Sequence, residues 1–140
     1  NVLGALNAVT KQVITVTHAT YINSLSVCEL LDKLAALPLN LPITVVLDNA
    51  RYPCCELVKT HAEKLHIEWL FLPTYSPNLN LIERLWKFVK KQCLYAKYSP
   101  NFSSFMNAIQ GCLDDTHTIH QTALNSLLSL NFQTLQKAQL

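Results

Sequence analysis

Two acidic residues stand where a carboxylate is conspicuous. Asp48 follows the apolar run Ile43–Leu47 (ITVVL), and Glu83 lies in the first turn of an amphipathic helix that closes the stretch YSPNLNLIERLW, residues 75–86. Carboxylates are hard oxygen donors. A few of them can hold Mg²⁺ beside a phosphate, and two such ions about 3.5–4 Å apart stabilise both the attacking and the leaving oxygen of a phosphoryl transfer. Such a centre usually needs a third acid. Each residue also has an ordinary structural role open to it. An Asp-Asn pair after a strand serves as a turn or helix cap, and a glutamate three positions beyond Asn80 can reach back to the cap N–H and favour the helix dipole. At about 100° per residue, Glu83, Lys87 and Lys90 share a helix face well away from Ile82, Leu85, Trp86 and Val89. Glu83 is therefore expected to project outward with cations beside it, an arrangement suited to a metal next to a phosphate backbone.

The elements that must position these acids follow from the hydrophobic pattern. Residues 1–9 (NVLGALNAV) and Val13–Thr17 (VITVT) read as a hairpin around the polar Thr10, Lys11 and Gln12. Ser26-x-x-Glu29 matches a capping box before a helix whose buried stripe is Val27, Leu30, Leu31, Leu34 and Leu37, closed by Pro38 and Pro42. Ile43–Leu47 is apolar at alternate and intervening positions alike, the pattern of a strand covered by helices on both faces, with Asp48 at its carboxyl end. Pro53 suits the first turn of the next helix, with Cys54, Val58, Ala62 and Leu65 as its stripe. Residues 66–72 return to strand, and Pro73 and Pro77 turn the following segment into a loop. Strand, helix, strand, helix in succession implies parallel pairing with crossovers. From Asn80 a helix carries Ile82, Leu85, Trp86, Val89, Cys93 and Ala96 until Ser99-Pro100 breaks it. Phe102, Phe105, Ile109, Cys112 and Leu113 mark another helix, residues 120–130 a last one, and the Gln- and Leu-rich tail to Leu140 is expected to be partly ordered at best.

Composition limits the setting. A chain of 140 residues with 50% apolar and 14% charged residues fits one α/β domain with a real core. No apolar run approaches the ~18–20 residues of a membrane span, and no signal-peptide succession is visible. Five cysteines without a C-x-x-C pair argue for reduced cytosolic thiols rather than a disulfide framework or zinc ribbon. A formal charge of +2 is too small to imply a polyanion partner, so a nucleic-acid argument must rest on where the bases cluster.

The LDNA of residues 47–50, the run FLPTYSPNLNLIERLW of residues 71–86 and the 34 residues between the two acids resemble the catalytic domain of the DDE transposases. The likeness is to the bacterial insertion-sequence branch of the mariner superfamily, and it runs from VLGALNA at residues 2–8 to about Phe132. It implies a ribonuclease-H-like α/β fold, a mixed sheet flanked by helices, with two Mg²⁺ or Mn²⁺ ions on three carboxylates. The implied chemistry is hydrolysis at transposon ends and strand transfer by the freed 3′-hydroxyl, with double-stranded DNA, both ends and target, as partner. Carried over, Asp48 is the second acid and Glu83 the third, with Asn49 and Asn80 as the polar residues beside them. The family's first Asp lies on the first strand of the sheet, upstream of the VLGALN strand, and is expected to be absent here. Pro53 stands where a histidine is common, Leu81 where a proline is, and Asn78 where an aspartate is.

That first strand is central in the fold, between the hairpin and the Asp48 strand, so the chain is expected to lack a pairing partner and to expose sheet edges. The resulting expectation is a partial catalytic domain over residues 1–116, with residues 117–140 as its C-terminal helix and tail. It would be inert and marginally stable alone, and would act with an upstream transposase fragment or as a homo-oligomer on DNA in the bacterial cytoplasm. Two alternatives stand beside it: a non-catalytic remnant that binds DNA or assembles, and a related metal-dependent nuclease that never transposes. Arg84, Lys87, Lys90, Lys91 and Lys97, interleaved with Trp86, Phe88, Tyr95 and Tyr98, form a basic band that reads either as a solvated helix face or, with the resemblance, as a DNA-backbone contact. His61 with His66, and His117 with His120, lack cysteines at zinc spacing. Cys54 and Cys55 at a helix start could carry a lowered pKa but have no evident base.

Overall fold

The computed structural model describes residues 1–48, 55–95 and 97–132. Val2–Leu6 (β1) pairs antiparallel with Val13–Thr17 (β2), from Val2 opposite Thr17 to Leu6 opposite Val13. Asn7 makes the turn local: its side-chain oxygen accepts the N–H groups of Val9 and Thr10 at 2.8 and 2.9 Å, and Lys11 then takes a left-handed φ of 64°. The period of two gives this hairpin two apolar faces. Leu3, Ala5, Ile14 and Val16 point to one core cluster, while Val2, Leu6 and Val13 point to another.

The first cluster lies under Ser24–Ala35 (α1) and Glu56–Lys64 (α2). α1 buries Val27, Leu30, Leu31 and Leu34 as the spacing predicts, but it begins earlier than Ser26. Asn23 is the cap, its side chain accepting the Ser26 N–H at 3.1 Å while the Ser26 hydroxyl accepts the Asn23 N–H at 3.2 Å. Ser26 is thus the third helical residue, and Glu29 faces His18 and Lys33 instead, at 3.3 and 3.6 Å. α2 buries Val58 and Ala62, with Cys55 at its cap position. Pro53 and Cys54, expected in this first turn, lie outside the described residues.

Ile43–Leu47 (β3) and Ile67–Phe71 (β4) pair in parallel across α2, in the register Ile43 with Ile67 to Leu47 with Phe71. Ile43, Val45, Ile67 and Trp69 pack on the α1–α2 cluster. The opposite face is open: Val46 is 48% and Leu70 54% exposed, beside exposed Thr44 and Glu68. β3 was expected to be covered on both faces. Helices reach only one, because those that follow β4 dock on the hairpin.

The two ladders stay separate. β1–β2 and β3–β4 share the first cluster, yet among the described residues no strand hydrogen bonds join them. A mixed α/β, ribonuclease-H-like arrangement without its central strand would divide in this way.

The second cluster gathers Leu81–Val89 (α3), Phe102–Asp114 (α4) and Gln121–Leu127 (α5) against the far face of the hairpin. α3 ends as a regular helix at Val89, and Ala96, expected on its stripe, lies outside the described residues. From Lys90 to Leu94 the helix widens into a π turn, closed by the Tyr95 N–H on the Lys90 carbonyl at 3.0 Å. α4 is capped by Asn101, whose side chain accepts the Ser104 N–H at 2.8 Å, and it buries Ile109, Cys112 and Leu113. α5 contributes Leu124 and, just past its end, Leu128. No described helix is long and apolar enough to cross a membrane.

Candidate active site

Asp48 follows the last residue of β3 and is exposed. Because β4 runs parallel, both strands finish together, and the ladder extends one step further with the Leu72 N–H on the Leu47 carbonyl at 2.8 Å. Leu72 is thereby fixed beside the residue preceding Asp48. The chain then crosses to α3 through a loop that contains a short 3₁₀ turn, Pro77–Leu79.

α3 is aimed by β1. Ile82 and Trp86, one helical turn apart, rest on the hairpin at Gly4, and a Cβ at that position would stand 2.7 Å from the Trp86 ring and 3.5 Å from Ile82. Glycine is required for this close approach. With Leu85 and Val89 buried behind it, the opposite face of α3 turns to solvent, and Glu83 and Lys87 are exposed there as expected.

Of the two ordinary roles open to Glu83, its place in the first turn of α3 keeps the favourable dipole, but the capping bond is not made. Asn80 is the cap residue, but its side chain makes no cap hydrogen bond; the Asn80 carbonyl accepts the Glu83 N–H at 3.2 Å. Glu83 takes part in none of the ion pairs among the described residues, although Lys87 is one turn away, and neither does Asp48. The two acids sit on different supports, Asp48 on the parallel pair and Glu83 on a helix docked to the hairpin. Between those supports the sheet is interrupted. Asn49 lies outside the described residues.

The basic band divides. Lys87, Lys90 and Lys91 are exposed, the last two on the π turn. Arg84 faces inward and is a clamp: it donates to the Asn78 carbonyl at 2.8 Å and to the Leu127 and Ser129 carbonyls at 3.3 Å each, with Phe132 5.5 Å from its guanidinium. Lys11 adds a bond to the neighbouring Leu128 carbonyl at 2.7 Å. Two cations from distant elements thus satisfy the open carbonyls after α5, where the helix dipole favours them. Sequence spacing put Arg84 among the exposed bases; that it meets α5 is a long-range fact no local pattern carries. The aromatic residues divide as well. Trp86 and Phe88 pack against the second cluster, Phe88 edge-on to His120 at 5.2 Å, whereas Tyr95 and Tyr98 are exposed.

Other chemistries find less support. Among the described residues no three His, Cys, Asp or Glu side chains converge as a metal site. His61 is paired with Asp32 at 2.7 Å. The Ser24 hydroxyl, 3.2 Å from the Cys55 sulfur, holds that thiol below its ordinary range, helped by the backbone N–H of Val58. Burial, with the Cys93 thiol beside it, pushes Cys112 up to about 12. A cleft of about 290 Å³ between the π turn and α4 is lined by Lys97, Asn107, Cys112, Asp115 and His120 among others, and by neither candidate acid.

Comparison with curated proteins gives no match. Comparison with protein families does: the family model described as DDE superfamily endonuclease matches residues 1–122.

Proposed function

The chain belongs to the DDE superfamily endonucleases, a membership that carries a transposase- or nuclease-type function with DNA as substrate, and from it we propose that Asp48 and Glu83 are two of three carboxylates of one catalytic centre. The observation that carries this reading is the interrupted sheet. The acids are carried by the two separate ladders, Asp48 just past β3 and Glu83 on α3 against the hairpin, and the strand that the family's order places between β1 and β3 is the source we assign to the third acid. We take that strand to come from an upstream transposase segment.

The acids fit a hard divalent cation, Mg²⁺ or Mn²⁺, in kind: both are exposed oxygen donors without an ion-pair partner among the described residues. In number they fall short of the three carboxylates the centre needs. When bound, the metal supplies a polarised phosphate and a water or 3′-hydroxyl made nucleophilic. The chain's own contribution is positional. Gly4 lets Trp86 seat α3, Arg84 ties the loop before Glu83 to the end of α5, and the Leu47–Leu72 bond fixes the strand end that carries Asp48. Lys87, Lys90 and Lys91 lie along the Glu83 side of that helix and would neutralise backbone phosphates of the duplex. In this reading the protein cuts transposon ends and joins the 3′-end to target DNA, as a homo-oligomer or a two-part enzyme in the cytoplasm.

The test is reconstitution. The chain alone with Mg²⁺ is expected to leave terminal-repeat DNA intact. Co-expression with the segment encoded immediately upstream, when that segment carries an aspartate on a strand, is expected to restore nicking, and Glu83→Gln or Asp48→Asn to abolish it. Efficient cleavage by these 140 residues alone would overturn the proposal. DNA binding without cleavage, with the strand supplied, would establish the non-catalytic assembly module instead.

A further inference from the structure

Tyr75 is fully exposed, at 101% of its reference area, and its backbone is in the left-handed region at φ 59°. Both features are unfavourable for an aromatic residue. The ring forgoes burial, and the conformation crowds a bulky side chain where glycine or asparagine is normally found. Among the described residues the ring joins neither core cluster, so no burial offsets either cost.

The loop that presents it is held at both ends. Three residues before Tyr75, the Leu72 N–H is bonded to the carbonyl of Leu47, the neighbour of Asp48; three residues after it, the Asn78 carbonyl receives Arg84, the neighbour of Glu83. The Leu79 N–H on the Ser76 carbonyl at 3.1 Å tightens the turn between them. At no more than ~3.6 Å per residue, Tyr75 lies within about 11 Å of either anchor along the chain. A strained, unburied ring is thus displayed from a pinned loop whose two anchors adjoin the two candidate acids.

We infer that Tyr75 is a stacking platform for an unpaired nucleobase of the DNA strand on which the acids act. The inference rests on the DNA-processing reading above and adds a substrate feature to it. A planar phenol offers a face to any base, but a base inside an intact duplex has both faces covered by its neighbours. Only a frayed, flipped or single-stranded nucleotide presents one. Strain concentrated at a ligand-facing residue is also where a fold stores it usefully.

The experiment measures binding of the whole chain, without divalent metal, to two fluorescent probes: a short blunt duplex, and the same duplex with unpaired nucleotides at its 3′-end. The wild-type chain is expected to prefer the second probe. Tyr75→Ala should lose that preference, weakening binding to the unpaired probe by roughly 5- to 100-fold, the range of one base–aromatic stack, while binding the blunt duplex as before. Tyr75→Phe should retain it. Tyr75→Gly should lose it too while melting no lower than wild type, because glycine accepts the left-handed backbone; this separates lost stacking from lost structure. Equal affinity of wild type and Tyr75→Ala for the unpaired probe overturns the inference, and with Lys87→Ala weakening both probes the DNA reading survives that failure. If the wild type binds neither probe, the DNA reading itself fails and takes the inference with it.

Discussion

At Glu83 the carboxylate that could accept the Asn80 N–H makes no such bond among the described residues; only backbone links the two, the Glu83 N–H to the Asn80 carbonyl at 3.2 Å, and the side chain is exposed. Its identity as a candidate was legible because helical spacing separates residues 83, 87 and 90 from the apolar stripe, and that separation is what the structure shows. Arg84, the next residue, was legible as a cation but not as a clamp, since its three carbonyl partners lie 6 to 45 positions away in the chain. The thiols illustrate how environment sorts chemically identical groups. Alkylation requires the thiolate. Cys55, lowered by the Ser24 hydroxyl, should react with iodoacetamide with a midpoint below the ordinary 9.0, and Ser24→Ala should move that midpoint up. Cys112, raised towards 12 by burial, should stay unlabelled at neutral pH until the chain unfolds. Peptide mapping after graded alkylation checks both, and equal labelling of the two at pH 7 would contradict the packing described.

Among the elements, α3 bears most on function, and its seat is one glycine. Gly4→Ala places a methyl 2.7 Å from the Trp86 ring and should lower stability by about 1–3 kcal/mol through overpacking. The urea midpoint measures this. Shortening the partner with Trp86→Leu in the same chain should recover part of the loss, whereas strictly additive effects of the two substitutions would show that they do not touch. Element existence was largely readable from periodicity, because the apolar stripes of α1, α2, α3 and α4 are long or regular enough to fix a period. Boundaries were less so. Asn23 and Ser26 can each cap a helix, and only the orientation of the preceding chain selects Asn23. The π turn at Lys90–Leu94 left no mark in the pattern, since Val89 and Cys93 are spaced as in an ordinary helix; in the fold, α4 packs against it.

At the scale of the molecule, the fold is two small ladders on a shared helical layer, with a second helical layer under the hairpin alone. The apolar run of β3 suggested cover on both faces because sequence reports hydrophobicity, not which face a neighbour reaches. Val46 and Leu70 stand open in consequence. The division between the ladders was anticipated from the family's strand order, and the two acids are held by different supports, Asp48 just past β3 and Glu83 on α3. That they serve a single metal centre, completed by a third carboxylate, is the central claim. Its most direct test is a Mn²⁺ titration of the chain together with the upstream segment that supplies the third acid, followed by paramagnetic broadening of the chain's backbone amide signals. Signals next to Asp48 and Glu83 should broaden together with one midpoint, and either Asp48→Asn or Glu83→Gln should abolish the effect at both places. Broadening at only one of the two, or independent midpoints that survive loss of the other acid, would contradict a shared centre.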